Sequence, residues 1–290
     1  LMNTAIAEAK DPVRMASANL AQVTGDDAAT VLGRSLPEVL GAAACDEIER
    51  HLHRDIGNPS IPFAIATAGG RALSALVHAS DGLRVVELRP AADAAHLNFA
   101  SMYLPLREAL WHFDRDDDVV AYCRFIVGEI RRLTGFDRVL AYCFDDHWDG
   151  EVIAESRNEA LPSLLGNHFP ASDIPPQARL LYQKNLVRVM EDTEAEPAAL
   201  LPARNPLNGR PLDLSHSALR AMAPVHVSYM RNMGVRASIT LSLKQGGRLW
   251  GLIACHYADP RLMPGGVRIP CRVLAGALAR RIKARGETDS

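Results

Sequence analysis

The chain has 290 residues, 48% of them hydrophobic and 23% charged, which predicts a soluble globular protein with two domains of roughly 150 residues each. A formal net charge of −2 excludes a strong electrostatic attraction to nucleic acid or to an anionic membrane. The sequence shows neither a run of about 18 apolar residues nor a secretory signal, so we expect a cytoplasmic protein.

Residues 1–92 are predicted to form a first domain with short elements of mixed α+β type. Residues 1–7 resemble a strand already in progress, and strand-like runs recur at 64–67 and 85–88. Helical patterns at 28–40 and 45–52 are broken by Gly and Pro.

The second domain is predicted to comprise residues 93–290. A helical pattern at 93–111 bridges to it. Four acids then precede the apolar periodicity of residues 119–130, and they are Asp114, Asp116, Asp117 and Asp118. We interpret them as a charged first turn that the helix dipole favours, not as a metal site. A strand at 138–144 follows, in which Tyr142 shares a face with Arg138.

A proline-rich segment at residues 169–175 combines a carboxylate with a predicted helix start. Ser172 or Asp173 would cap the helix that follows, and capping alone would account for Asp173. Arg188 and Arg220 would likewise be ordinary surface charges if nothing bound them. A guanidinium group is nevertheless well suited to binding a ligand carboxylate.

Residues 218–233 show a helical pattern that Pro224 interrupts. His226, Tyr229 and Met233 recur at spacings of three and four, so they are predicted to share one face. That face mixes aromatic, polar and soft apolar groups.

Residues 234–256 show the clearest hairpin pattern in the chain. Apolar and polar side chains alternate in its first strand, so one face carries hydroxyl groups that include those of Ser238 and Thr240. The return strand at 249–256 is almost continuously apolar and is predicted to lie centrally in a sheet. It ends in His256, whose imidazole needs a hydrogen-bond partner.

A last helical pattern occupies residues 269–284, with Pro270 suited to its first turn. Its apolar positions would serve either core packing or a parallel dimer contact, and they are Val273, Leu274, Leu278 and Ile282. We expect core packing in the first half of this helix and treat a dimer contact as a hypothesis for the second half.

The cysteines are widely spaced, which predicts reduced and mostly buried thiols in place of a disulfide framework. They are Cys45, Cys123, Cys143, Cys255 and Cys271. The Cys and His spacings do not match a zinc site, so no metal is predicted. The sequence shows no nucleophile elbow, zinc-protease motif or phosphate-binding glycine loop, and we therefore do not predict an enzyme.

Several long motifs, in the same order, resemble the bilin-binding GAF domain of bacterial phytochromes. They are Phe-Pro-Ala-Ser-Asp-Ile-Pro at 169–175, Val-Arg at 187–188, Leu-Arg at 219–220, Val-His-Val-Ser-Tyr-Met-Arg-Asn-Met-Gly at 225–234 and Leu-Trp-Gly-Leu-Ile-Ala-Cys-His at 249–256. Residues 16–20 resemble the PAS domain that precedes it. The resemblance implies an α+β fold with a PAS-like and then a GAF-like domain, each an antiparallel sheet flanked by helices.

The resemblance also implies red and far-red light sensing through biliverdin, a linear tetrapyrrole. Its pocket would be lined by Tyr142, Phe169, Asp173, Ile174, Pro175, Tyr182, Arg188, Arg220, His226, Tyr229, Ser238, Thr240 and His256. The backbone carbonyl of Asp173 and the ring of His226 would surround the pyrrole nitrogens. His256 would reach the carbonyl of the D ring, whose rotation is the primary light event in the family, and Tyr142 and Phe169 would pack around that ring.

The two propionates of the bilin would be held by cations and hydroxyl groups. Arg188 and Arg220 would face one propionate, with Tyr182 nearby. Ser238 and Thr240 would hydrogen-bond the other.

The chain departs from the family at the attachment site. Plant and cyanobacterial members attach bilin through a cysteine at the position of Val225, and biliverdin-binding members through a cysteine upstream of the PAS domain. This sequence contains neither cysteine. Either the upstream segment lies outside this sequence, or the chain binds bilin without a covalent bond or not at all.

The resemblance further implies a homodimer through the GAF and C-terminal helices, with downstream sensory and output domains such as a histidine kinase. An alternative function is a bilin-free structural relay or a thiol redox sensor that uses Cys143 or Cys255. A redox sensor would require an exposed cysteine of low pKa.

Overall fold

The computed structural model describes residues 4–6, 12–54, 62–91, 107–108, 111, 118–263 and 265–286. The chain divides into two compact units, a first from residues 1–94 and 195–223 and a second from 95–194 and 224–290. Each contains a six-stranded antiparallel sheet with helices, which confirms the predicted α+β architecture. Among the helices that the structure describes, none is long and apolar enough to cross a membrane.

The sheet of the first unit has the strand order β10-β2-β1-β5-β4-β3. The strands are β1 (Thr4–Ile6), β2 (Met15–Ser17), β3 (Phe63–Ala66), β4 (Ala72–Ser80), β5 (Leu83–Pro90) and β10 (Leu200–Leu201). The helices are α1 (Ala21–Thr24), α2 (Ala28–Val31), α3 (Leu36–Leu40) and α4 (Ala42–Arg54). The single helical pattern predicted at 28–40 is in fact divided between α2 and α3. The division arises because Ser35 and Glu38 form a capping box at the N-terminus of α3.

Residues 195–223 lie beyond the boundary expected near residue 92, yet they pack against the first sheet. Leu212 is buried with Met15 and Val85. The buried carboxylate of Glu87 accepts hydrogen bonds from the backbone N–H groups of Ala218 and Leu219 at 3.0 and 2.6 Å. The segment is therefore anchored by both apolar and polar contacts.

The sheet of the second unit has the order β8-β7-β6-β12-β11-β9. Its strands are β6 (Arg138–Phe144), β7 (Gly150–Arg157), β8 (His168–Phe169), β9 (Val187–Met190), β11 (Ala237–Gln245) and β12 (Arg248–Tyr257). Its helices are α5 (Val119–Thr134), α6 (Pro176–Lys184), α7 (Pro224–Asn232) and α8 (Gly265–Gly286). The predicted central position of the return strand is confirmed, since β12 pairs with both β11 and β6.

Helices α5 and α8 cover one face of this sheet and form the main core of the unit. Asp118 caps α5 by accepting a hydrogen bond from the backbone N–H of Ala121 at 3.2 Å, and Gly135 ends the helix at a φ of 65°. The charged helix start is thus confirmed at Asp118. The other three acids of the cluster, and most of the predicted 93–111 helix, lie outside the described residues.

Two predicted helix starts were wrong. Helix α7 begins at Pro224, because the N–H groups of Ala218 and Leu219 bond to Glu87 and not within a helix. Helix α8 begins at Gly265, so Pro270 lies inside it. The apolar pattern could not show this earlier start, since residues 265 and 266 are both glycine.

The apolar positions of α8 are divided between core and surface. Leu274, Leu278 and Ile282 are buried in the core of the unit, whereas Val273 is exposed. Core packing therefore extends into the second half of the helix, whereas the core packing expected of Val273 in the first half was wrong. Of the four apolar positions predicted on this helix, Val273 is the one whose side chain is exposed and could contact another chain.

Candidate functional site

The face of the second sheet opposite α5 and α8 carries a row of polar side chains. Thr240 in β11 lies opposite Arg188 in β9. Ser238, two residues earlier, lies opposite His256 in β12. Directly opposed residues of an antiparallel pair point to the same face, so the predicted hydroxyl surface, a guanidinium and an imidazole are adjacent.

His256 is the buried polar group at the centre of this row. Its side chain is 9% exposed, and Nδ1 has no hydrogen-bond partner among the residues that the structure describes. Burial, together with the positive charge of Arg138 and the ring of His226, lowers the pKa of His256 from 6.5 to about 4. The imidazole is therefore neutral near neutral pH and has one nitrogen unused.

An apolar cluster adjoins the polar row and contains Leu140, Tyr142, Phe144, Val152, Leu249 and Leu252. The ring of Tyr142 lies 5.2 Å from that of Phe144, edge to face, and 5.9 Å from that of Phe169. Ile174 and Tyr182, from the loop before α6 and from α6 itself, pack against the same cluster. The face thus joins an apolar surface to a row of polar side chains, in which Nδ1 of His256 has no partner among the described residues. Such a combination is typical of a small-molecule site.

Helix α7 adds two stacked rings to the site. Those of His226 and Tyr229 lie 6.5 Å apart and nearly parallel. Burial, and next the charge of Arg188, lowers the pKa of His226. Burial also raises the pKa of Tyr229, as do the charge of Asp173 and a side-chain hydrogen bond to it. The charged and aromatic groups predicted from four separate segments therefore meet.

The predicted capping role of Ser172 or Asp173 was wrong. Helix α6 begins at Pro176, and Pro175 occupies the cap position without any side-chain hydrogen bond. The proline ring fixes its own φ and supplies the helix start, so the side chain of Asp173 is free to bond Tyr229.

The structure brings most of the predicted set together in the second unit. That set comprises Tyr142, Phe169, Asp173, Ile174, Tyr182, Arg188, His226, Tyr229, Ser238, Thr240 and His256. Pro175 is exposed at the start of α6. Arg220 belongs to the first unit, where it is partly buried.

Sequence reasoning missed two features of the site. Two guanidinium groups lie over the ring of Trp148, with Cζ of Arg179 4.6 Å and Cζ of Arg248 4.8 Å from the ring centroid. Arg138 lies opposite His256 in the pairing of β6 with β12. Neither leaves a signal in the sequence, because each depends on which strands and loops become neighbours.

The thiols do not support a redox site. Burial raises the pKa of Cys143 from 9.0 to about 11 and that of Cys255 well above 9.0. The other three thiols have pKa values of about 11 to about 12 for the same reason. No group of three or more potential metal ligands occurs in the described ranges either.

Comparisons with known families agree with this geometry. The sequence matches the family model of the PAS fold over residues 3–91 and that of the GAF domain over residues 118–282. The phytochrome-like protein Cph1 of Synechocystis is 37% identical over 279 residues, which cover 94% of this chain and 37% of Cph1. A bacteriophytochrome of Pseudomonas aeruginosa is 42% identical over 179 residues, 62% of this chain and 25% of that protein.

Solved structures extend the likeness to the whole chain. The chromophore-binding domain of an unusual bacteriophytochrome, RpBphP3 from R. palustris, superposes with a TM-score of 0.90 at 35% identity, covering 100% of this chain and 94% of that one. The chromophore-binding domain of Stigmatella aurantiaca bacteriophytochrome in the Pr state (Thr289His mutant) gives 0.87 at 35% identity, covering 98% and 94%. The chain spans 28% to 37% of the length of three curated relatives.

Proposed function

Since this chain belongs to the phytochrome family, as a PAS–GAF chromophore-binding module, we propose that it binds biliverdin in its second domain and senses red and far-red light. The observation that carries the proposal is His256, which is buried beside an apolar cluster with Nδ1 unpartnered among the described residues. A buried polar atom without a partner is costly, so a ligand that supplies one fits the site. Bound biliverdin would supply the light absorption and the double bond that isomerises.

The residues of the second unit have separate roles in this proposal. The hydroxyl groups of Ser238 and Thr240 hydrogen-bond one propionate. The guanidinium of Arg188 binds the other, and Tyr182 lies beside it. Such charge-assisted bonds orient a long ligand by both of its anionic tails.

Other side chains hold the tetrapyrrole and govern its D ring. The backbone carbonyl of Asp173 and the neutral ring of His226 face the pyrrole nitrogens, with Ile174 and Pro175 nearby. Tyr142, Phe169 and Tyr229 would set the space in which the D ring turns, and His256 would hydrogen-bond its carbonyl. A hydrogen bond that breaks and re-forms would bias a two-state element and start the signal.

The signal would pass to sensory and output domains of a longer protein, for which a histidine kinase is one proposal. The PAS–GAF module itself has no catalytic domain. We also propose that the module works in the cytoplasm as a homodimer. The exposed Val273 on α8 is the position that would contribute to the dimer contact.

The test is an absorption spectrum of the chain purified with biliverdin, recorded before and after far-red illumination. A strong red to far-red band that changes with light supports the proposal, and its persistence or loss after denaturation tells whether the bond is covalent. His226→Gln removes the ring that would face the pyrrole nitrogens, and Asp173→Asn removes the carboxylate that interacts with Tyr229. Both should impair photoconversion with the fold intact, whereas His147→Gln, on an exposed turn, should not. Absence of any band beyond that of free biliverdin would reject the proposal.

A further inference from the structure

Arg138 and Glu155 form a buried ion pair next to His256. The side chains are 7% and 4% exposed, and Nε of Arg138 lies 3.1 Å from Oε1 of Glu155. The guanidinium also donates a hydrogen bond to the backbone carbonyl of Pro162. Arg138 is directly opposite His256 in the register of β6 with β12.

The carboxylate of Glu155 is itself held by other groups. It accepts a hydrogen bond from the hydroxyl of Ser163 at 2.6 Å and from the backbone N–H of Leu164 at 3.2 Å. Arg157 Nε lies 3.5 Å from its second oxygen. The bonds from Ser163 and Leu164 hold the carboxylate of Glu155 in place. The ion pair with Glu155 and the hydrogen bond to the carbonyl of Pro162 then hold the guanidinium of Arg138, which lies opposite His256.

We propose that the Arg138–Glu155 pair is a positioning pair for His256, and that the guanidinium of Arg138 adds to burial in keeping the imidazole neutral, with one nitrogen available for the bilin. The identity of the ligand, bilin, rests on the proposed function. The effect of Arg138 on the protonation of His256 does not depend on it. A neutral imidazole has one donor and one acceptor nitrogen, whereas an imidazolium has two donors. If His256 stays neutral, its hydrogen bond to the bilin stays the same across the pH range in which a free histidine titrates.

The groups that face His256 support this assignment. Arg138 faces it from β6, His226 from α7 and the uncharged Ser238 from β11. Glu155 lies opposite Leu140, so it is farther along the sheet from His256 than Arg138 is. Arg138, the positive partner of the ion pair, is therefore nearer to His256 than Glu155 is. A positive charge close to the imidazole disfavours its protonation.

The experiment is an NMR titration of the His256 ring in the chain without pigment. In Arg138→Gln the pKa of His256 should rise by about one pH unit or more, because the adjacent cation is gone. Arg138→Lys should leave it near the wild-type value, since a cation is retained. Arg157→Gln is the matched control: it removes an arginine from the same carboxylate, but one that is two strands away from His256.

An unchanged His256 titration in Arg138→Gln would overturn the proposal, as would an equal rise in Arg157→Gln. If Arg138→Gln does not fold, the double variant Arg138→Gln/Glu155→Gln removes the whole pair without leaving a buried lone charge, and the same rise is expected. Loaded with biliverdin, Arg138→Gln should show an absorption band that depends on pH around the new pKa. Failure of every variant to bind biliverdin would reject the proposed function, while the titration would still decide the role of the pair.

Discussion

The ring of Tyr142 in the candidate site is held by close packing against its neighbours. A Cβ added at Gly150 would lie 1.8 Å from Cζ of its ring, so the ring rests directly on the backbone of β7. Phe144 and Phe169 bound the ring on its other sides. Gly150 is therefore required for close approach, and no side chain would fit there without moving the tyrosine.

We predict that Gly150→Ala destabilises the chain by about 1–3 kcal/mol, because overpacking forces the ring of Tyr142 out of its position. Urea unfolding measures the loss, and the absorption band of the biliverdin-loaded variant should shift as well. Gly128→Ala in α5 is the control, since no atom lies within 4 Å of its added Cβ. It should stabilise the chain by about 0.5–1 kcal/mol as a better helix former. Equal stability of Gly150→Ala and the wild type would contradict the proposed packing.

His256 should also make stability depend on pH. Its pKa is lowered from 6.5 to about 4 in the folded chain, so the unfolded chain binds more protons between these values. Stability is therefore complete above the unfolded pKa and is lost as the pH falls towards 4, by about 3 kcal/mol in total. The denaturant midpoint should therefore fall less steeply with decreasing pH in His256→Gln than in the wild type over this range. An identical slope in that variant would mean that the folded histidine is not neutral.

At the scale of elements, the segment 195–223 is held on β5 by one buried carboxylate. Glu87 bonds the backbone N–H groups of Ala218 and Leu219. The nearby His78 has a pKa lowered from 6.5 to about 4, chiefly by burial, and is neutral near neutral pH. Because Glu87 is ionised and buried, its bonds to these two backbone N–H groups are charge-assisted and therefore strong.

We predict that Glu87→Gln loosens this segment. The amide loses the negative charge and one acceptor oxygen, so at least one backbone donor is left unsatisfied at a cost of about 1–3 kcal/mol. Hydrogen exchange at Ala218 and Leu219 should accelerate by roughly tenfold or more. Asp46→Asn, an exposed carboxylate on α4, should leave that exchange unchanged. Exchange as slow as in the wild type would show that other contacts anchor the segment, such as the pairing of β10 with β2 and the hydrogen bond of Asn205 to the carbonyl of Asp81.

At the scale of the whole molecule, burial decides the chemistry of the thiols. Cys143 is the one cysteine that is partly exposed, and its pKa is still raised from 9.0 to about 11 by burial and nearby carboxylates. Such a shift lowers the thiolate fraction at neutral pH roughly a hundredfold. Both units therefore keep their thiols in an unreactive form.

We predict that the native chain gains no mass under mild oxidant or a thiol reagent at neutral pH, whereas all five cysteines react once it is unfolded. The physical reason is the low thiolate fraction together with burial. Mass spectrometry after timed exposure measures it. Rapid modification of Cys143 alone in the native chain would restore the thiol redox sensor as a candidate function.

The sequence by itself determined the local elements and the chemistry available to them. Alternation and turn residues predicted the β11–β12 hairpin, and the run of apolar residues at 249–256 predicted that β12 is central. Motif order also identified the candidate residues His226 and His256. The strand pattern depends on neighbours within a few residues, which sequence periodicity records directly. The choice of the two histidines came instead from the resemblance to the phytochrome GAF domain.

Only the tertiary structure decided which distant groups meet. The register of β6 with β12 sets Arg138 beside His256, and the docking of residues 218–219 on Glu87 delays the start of α7 to Pro224. The same holds for Asp173, which bonds Tyr229 instead of capping α6. Contacts between residues far apart in sequence follow from packing and burial, and no local pattern specifies the partner of a given polar group.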